Sequence, residues 1–265
     1  MIELAFNQYI CPSDWRVIDF LDAAAALDAR WVAITHTSLD EMPIDRLKAE
    51  LMARGLSVTS LNSAGRFTWD DPAQVQAQSE LNALLIDVAA ELQALVLTVI
   101  TGGTFGRPIG EARKRVAEGL HDLDLSAGAS GVQLGLEPIH PIGLTDKGCV
   151  NSISQACKLI DELSSTGLLL DLFHSHWDPD LVRVAESAPV HLIQICNLMH
   201  PPGQAPNRLP SLAPGRLDVA EWIGLFRQQG YARPFEFEIF AADHGHSDPK
   251  PLMRAARDLS VNLGA

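Results

Sequence analysis

The sequence predicts an α/β fold, a single (β/α)8 TIM barrel, and three observations carry that expectation. Short apolar runs alternate with amphipathic helical stretches eight times along the chain. The length, 265 residues, suits one such barrel. No linker, low-complexity stretch or shift in composition marks off a second part, so residues 1–265 are expected to form one domain.

The elements follow in order. IELAFN (2–7) reads as the first strand, and 15–30 as a helix with apolar residues recurring at three and four. WVAITH (31–36) is strand two, and the helix 44–55 ends on a glycine that suits a helix C-terminus. LSVTSLN (56–62) is strand three, and the long helix 71–93 has proline near its start. ALVLTVITGG (94–103) is strand four, followed by helix 111–129. VQLGLEP (132–138) is strand five, followed by helix 152–165. Strand six opens LLLDLFHSHWDPD (168–180), where three leucines in a row read as a strand buried on both faces. A helix near 179–187 follows it. HLIQICN (191–197) is strand seven, then comes a proline-rich loop and helix 219–230. PFEFEIF (234–240) is strand eight, and helix 249–263 closes the chain.

Composition bounds the function. With 47% hydrophobic residues the chain can bury one large core, and a formal net charge of −13 with no Lys/Arg run argues against nucleic acid as partner. The start, MIELAFNQYI, lacks a basic leader and a long apolar region, and no apolar run is long enough to span a bilayer. The expectation is therefore a soluble cytoplasmic protein that uses no membrane. Cys11, Cys149, Cys157 and Cys196 show no CxxC spacing, which fits reduced thiols.

In such a barrel the chemistry sits at the carboxyl ends of the strands. Strand five ends in Glu137, strand six in Asp171, strand seven carries Gln194 in an apolar run, and strand eight contains Glu236 and Glu238. Two glutamates, an aspartate and an amide carbonyl form a hard oxygen set suited to a divalent metal, Mn2+ first, with Mg2+, Co2+ or Zn2+ as options. His174 and His176 follow Asp171, and Trp177 can wall a pocket and exclude water from it. His36 ends strand two and His140 lies three after Glu137, so both are candidates for the mouth. Trp15, Trp31, Trp69 and Trp222 read as packing residues, and Gly102–Gly103 as a plain turn in preference to a phosphate site. Asp243, His244 and His246 read as a solvated loop.

LGLEPIHP, DLFH followed by HWDPDL, IQICN, NR…PGRLDV and GY…PFEFEIF together resemble the sugar phosphate isomerase/epimerase family, within the xylose-isomerase-like barrel superfamily. That superfamily includes D-tagatose 3-epimerase, hydroxypyruvate isomerase and inosose dehydratase. FNQ near the start and SLNSAGRF after strand three fit it too. The resemblance implies that Glu137, Asp171, Gln194 and Glu238 are metal ligands, with Glu137 and Glu238 moving the proton. Glu238 is preferred to Glu236 because it precedes the apolar pair that ends the strand. His174 and Arg208 match substrate-contact positions. Gln194 stands where many epimerases have histidine, and Asn197 where an aspartate is common.

The implied activity is a metal-dependent isomerase or epimerase of a sugar or small hydroxy-carbonyl compound, passing through an enediolate, with an inosose-dehydratase-like lyase as the alternative. DNA-repair enzymes of the endonuclease IV type share the barrel but need several histidines at strand ends two to four. Here strand three ends LNSAGRF. A sugar-binding barrel without catalysis is a third option. The loop 198–216, with Pro201, Pro202, Pro206, Pro210 and Pro214, is expected either to cover the mouth and bring Arg208 to the substrate, or to be a simple surface excursion or a contact in a homo-oligomer.

Overall fold

The computed structural model describes residues 2–186, 188–203, 205–210, 212 and 215–263. Eight strands close into a parallel barrel in the order β1-β10-β7-β6-β5-β4-β3-β2. They are β1 (Leu4–Asn7), β2 (Trp31–Thr35), β3 (Ser57–Gly65), β4 (Val96–Ile100), β5 (Leu134–Leu136), β6 (Thr166–Asp171), β7 (Val190–Ile195) and β10 (Phe235–Phe237). Sequential strands are spatial neighbours, as the alternation of strand and helix requires. The expected (β/α)8 TIM barrel is the observed fold. No described helix is long and apolar enough to cross a membrane, and all four cysteines are free.

Contacts group the chain into two units. One comprises Met1–Thr59, Asp171–Phe173 and Ile193–Ala265. In it β1 pairs with β2, Ala5 opposite Trp31, and with β10, Leu4 opposite Phe235. Gln194 of β7 lies opposite Glu236 of β10. Phe6, Phe20, Phe226, Phe235 and Phe237 are among its largest fully buried side chains. Helix α8 (Val219–Gln228) starts at Asp218, whose side chain accepts the Glu221 N–H and so satisfies one of the open donors of the first turn.

The other unit comprises Ser60–Leu170 and His174–Leu192. Helix α4 (Pro72–Glu91) is capped by Asp71 and has proline in its first turn, where a missing N–H costs nothing. Asp124 of α5 (Ile109–Ala129) is buried and accepts from Ser164 N, Ser165 N and the Thr166 hydroxyl, which pins the start of β6 to that helix. Val96, Leu169 and Leu192 form a small buried cluster between strands.

Several boundaries differ from expectation for identifiable reasons. Strand three runs on to Gly65 because Asn82 of α4 takes both backbone groups of that glycine, at 2.9 and 3.1 Å. The expected helix near 179–187 is a 3-10 helix, Pro179–Glu186; Ser187 lies outside the described residues. The last barrel strand stops at Phe237, so Glu238 stands one residue beyond it. The loop 198–216 is partly structured: Asn197–Met199 (β8) and Asn207–Leu209 (β9) pair antiparallel, with Leu198 opposite Arg208. Pro214 lies outside the described residues.

The glycine pair after β4 is a close-approach device. A Cβ on Gly103 would sit 2.2 Å from the Asp146 nitrogen and 2.4 Å from the Thr145 carbonyl carbon. Backbone cannot step aside as a side chain can. Gly103→Ala is therefore expected to destabilise by about 1–3 kcal/mol, read from the urea midpoint at unchanged slope.

Candidate active site

The first unit builds a buried polar cluster from barrel-lining positions. Glu236 is fully buried and accepts from Asn7 Nδ2 (2.7 Å), Gln194 Nε2 (2.7 Å) and Thr59 Oγ1 (2.9 Å). Three neutral donors hold that carboxylate in place. Glu238, on the same parity two residues on, takes weaker calls on the same amides, from Gln194 Nε2 at 3.0 Å and Asn7 Nδ2 at 3.3 Å. Its Oε2 takes a 2.7 Å bond from Arg208 Nη2.

The same guanidinium nitrogen bonds Asp171 Oδ2, while Asp171 Oδ1 accepts the Phe173 N–H at 2.8 Å. Arg208 is only 7% exposed, and its guanidinium lies over the rings of Phe173 (4.4 Å) and Phe240 (4.8 Å). The hairpin β8–β9 thus delivers Arg208 to two of the expected ligands. Burial, with Asp171 adding to it, pushes the neighbouring Cys196 thiol far above its ordinary range.

The second unit contains Glu137 and His174. Glu137 directly follows β5, is 5% exposed, and has its N–H on Val99 O. His174 sits in the short helix α7 (Leu172–Ser175), 4% exposed, with Nε2 3.6 Å from Glu137 Oε1. The His140 N–H donates to His174 Nδ1 at 3.1 Å, and Lys147 Nζ lies 3.0 Å from Nε2. The His140 ring stacks at 6.0 Å on His176 and meets Trp177 edge-on at 6.0 Å. Trp177 donates its Nε1–H to His174 O and stays 40% exposed. Asp178 is structural: it accepts the Ile153 N–H at the start of helix α6 (Ile153–Ile160).

Glu137, Asp171 and His174, the last two being three residues apart in the chain, are buried side chains of the kind that hold a metal ion. Gln194 adds to the fit, since its Oε1 is buried and accepts no hydrogen bond. An unused carbonyl oxygen among carboxylates is the donor a hard divalent ion takes.

Other candidates fall into place around this. His36 is half-buried just after β2. Gly102 bridges Gly148 and Gly103 lies against the backbone of 145–146, so the pair is a close packing point where a plain turn was expected. His244 is tied into the fold, with Nε2 2.8 Å from Ile10 O, while Asp243 accepts the Phe240 N–H; the loop after β10 is more ordered than expected. Asn7, Thr59 and Lys147 are among the residues the sequence did not single out as side-chain contributors. Asn7, a polar residue closing an apolar strand, carried a signal. Lys147, 27 residues from His174 in a glycine-flanked loop, carried none.

The profile of the xylose isomerase-like TIM barrel family matches residues 21–261. The chain belongs to that family. Among solved structures, this xylose isomerase-like barrel is similar to protein SMc04130 from Sinorhizobium meliloti 1021, at 24% identity and TM-score 0.88, covering 98% of each chain. It is also similar to the IOLI protein with a binding zinc atom, at 17% identity and TM-score 0.82, covering 99% of this chain and 98% of that one. The 3-keto-D-glucoside 4-epimerase YcjR from E. coli matches at 18% identity and TM-score 0.79, over 99% of this chain and 100% of that one. No curated protein matches this barrel by sequence.

Proposed function

We propose that this chain is a divalent-metal-dependent isomerase or epimerase acting on a sugar or small hydroxy-carbonyl compound. One observation carries the proposal: buried carboxylates stand at or just beyond the carboxyl ends of β5, β6 and β10, with the unused Gln194 oxygen in β7. An oxygen set of this composition suits Mn2+ first, then Mg2+, Co2+ or Zn2+. Epimerases and a zinc-bound protein among the similar structures support the same reading.

In this reading Glu137, Asp171, Gln194 and Glu238 hold the ion, which when bound supplies Lewis acidity toward a carbonyl and its neighbouring hydroxyl. Glu137 and Glu238 each take or return a proton at the carbon beside that carbonyl. His174 Nε2 donates to a substrate oxygen, its ring orientation set by the His140 N–H on Nδ1. Glu236, saturated by three donors, stays out of the proton traffic and holds Gln194. Trp177 and His140 wall the substrate, Arg208 and His36 complete its surroundings, and the aromatic faces exclude water.

The test is a screen of ketoses, hydroxypyruvate and inososes with added Mn2+ in D2O. Exchange of one carbon-bound hydrogen for deuterium beside the carbonyl, abolished by EDTA, is the expected result. Turnover indifferent to EDTA would overturn the metal role, and loss of water from an inosose would assign a lyase.

A further inference from the structure

We propose that Asn197 is the positioning residue for Arg208 and sets how firmly that arginine competes with a divalent ion for Asp171 and Glu238, an inference that rests on the metal site proposed above and adds what regulates it. Asn197 is fully buried at the start of β8. Its Nδ2 donates to Leu217 O at 3.0 Å, while its Oδ1 accepts the Leu217 N–H at 3.1 Å and the Leu198 N–H at 2.8 Å. Leu198 opens the loop 198–216 and Leu217 follows its last residue, so one side chain grips both ends. A carboxamide offers the donor and the acceptor side by side that this grip needs; a carboxylate would set an oxygen against the Leu217 carbonyl. Gly215 lies against the amide, and a Cβ there would come within 2.7 Å of Oδ1 and 2.8 Å of Nδ2. Arg216 Nη2, donating to His200 O at 3.1 Å, makes a second link across the same neck.

The neck fixes where Arg208 stands. In the β8–β9 register Asn197 faces Leu209 and Leu198 faces Arg208, so the arginine is one step from the gripped residue. From there its Nη2 reaches Asp171 Oδ2 and Glu238 Oε2, with the rings of Phe173 and Phe240 against the guanidinium. Those carboxylate oxygens are donors that a hard divalent ion takes. A cation carried by the chain competes with a free ion through its effective concentration, and that concentration depends on how stiffly it is attached. A closed neck keeps the arginine on the two acids. An opened neck leaves their oxygens to the ion.

The experiment is calorimetric Mn2+ binding to the full chain after removal of metal with EDTA and dialysis. It compares wild type, Arg208→Ala, Asn197→Ala, Asn197→Ser and the double variant Asn197→Ala with Arg208→Ala. Arg208→Ala should bind Mn2+ about 10-fold tighter than wild type, the scale of a lost charged hydrogen bond. Asn197→Ala and Asn197→Ser should each gain about 5-fold, and with Arg208 already removed the Asn197 change should add no more than about 2-fold. A residue that only supported the fold would weaken Mn2+ binding or act alike in both backgrounds. Either result would overturn the proposal, as would unchanged affinity in the Asn197 variants. A wild type that binds no Mn2+ would strike the metal reading alone. Urea unfolding of the same metal-free proteins then decides on Asn197: losses that fall short of their sum in the double variant uphold the positioning role, and additive losses overturn it. If Asn197→Ala does not fold, Asn197→Ser and its own double variant take its place.

Discussion

Replacing Glu137 or Glu238 with glutamine should lower turnover by about 10³-fold, within the roughly 10²–10⁴ that general acid–base catalysis contributes. Glutamine keeps the size and one carbonyl oxygen but cannot carry a proton. The two variants should separate in solvent exchange: each blocks proton transfer at one residue, so partial reactions that use only the other persist. Glu236→Gln is the control. Its carboxylate already accepts three hydrogen bonds from Asn7, Gln194 and Thr59, so that change should cost stability more than chemistry. If Glu137→Gln and Glu238→Gln both exchange deuterium at the wild-type rate, the two-glutamate scheme is wrong.

Metal-free Arg208→Ala should lose roughly 3–5 kcal/mol of stability, the scale for leaving a buried charge without its partner. The reason is local: one guanidinium nitrogen bonds both Asp171 and Glu238, and its removal leaves two buried carboxylates facing each other's charge. Mn2+ should then stabilise the variant more than the wild type. A ligand at about 100 times its Kd adds about 2.7 kcal/mol, and in the variant the ion meets carboxylates that no arginine holds. An arginine that only reached out to the substrate would leave the Mn2+ dependence of unfolding unchanged. Urea titrations of both proteins with and without Mn2+ decide between these outcomes.

The barrel was legible because its signal is local and repeated. The run Leu168–Leu170 is apolar on both faces because a parallel strand is covered on both, and Asp171 breaks it where the strand meets the mouth. The acids at strand ends were legible for the same reason, as charges out of place in apolar runs. What escaped depends on partners far away in sequence. Glu236 and Glu238 share a parity and the amides of Asn7 and Gln194; the donors that differ are Thr59 on Glu236 and Arg208 on Glu238, and neither was foreseen. The extension of β3 to Gly65 depends on Asn82, 17 residues on. The hairpin β8–β9 is masked by prolines that read as open loop, so the route of Arg208 to Asp171 was not foreseeable.

The seam between Gly102–Phe105 and Leu144–Cys149 has a consequence for how this wall can change over time. The amide hydrogens of Gly102, Thr104, Phe105 and Cys149 are all engaged across it. Amides so engaged exchange with solvent only when the segment opens, and opening here requires four bonds and a glycine contact to part together. Such a seam parts only as a unit, so an insertion in 144–149 should be poorly tolerated, and change along it would come by exchanging side chains on a constant track.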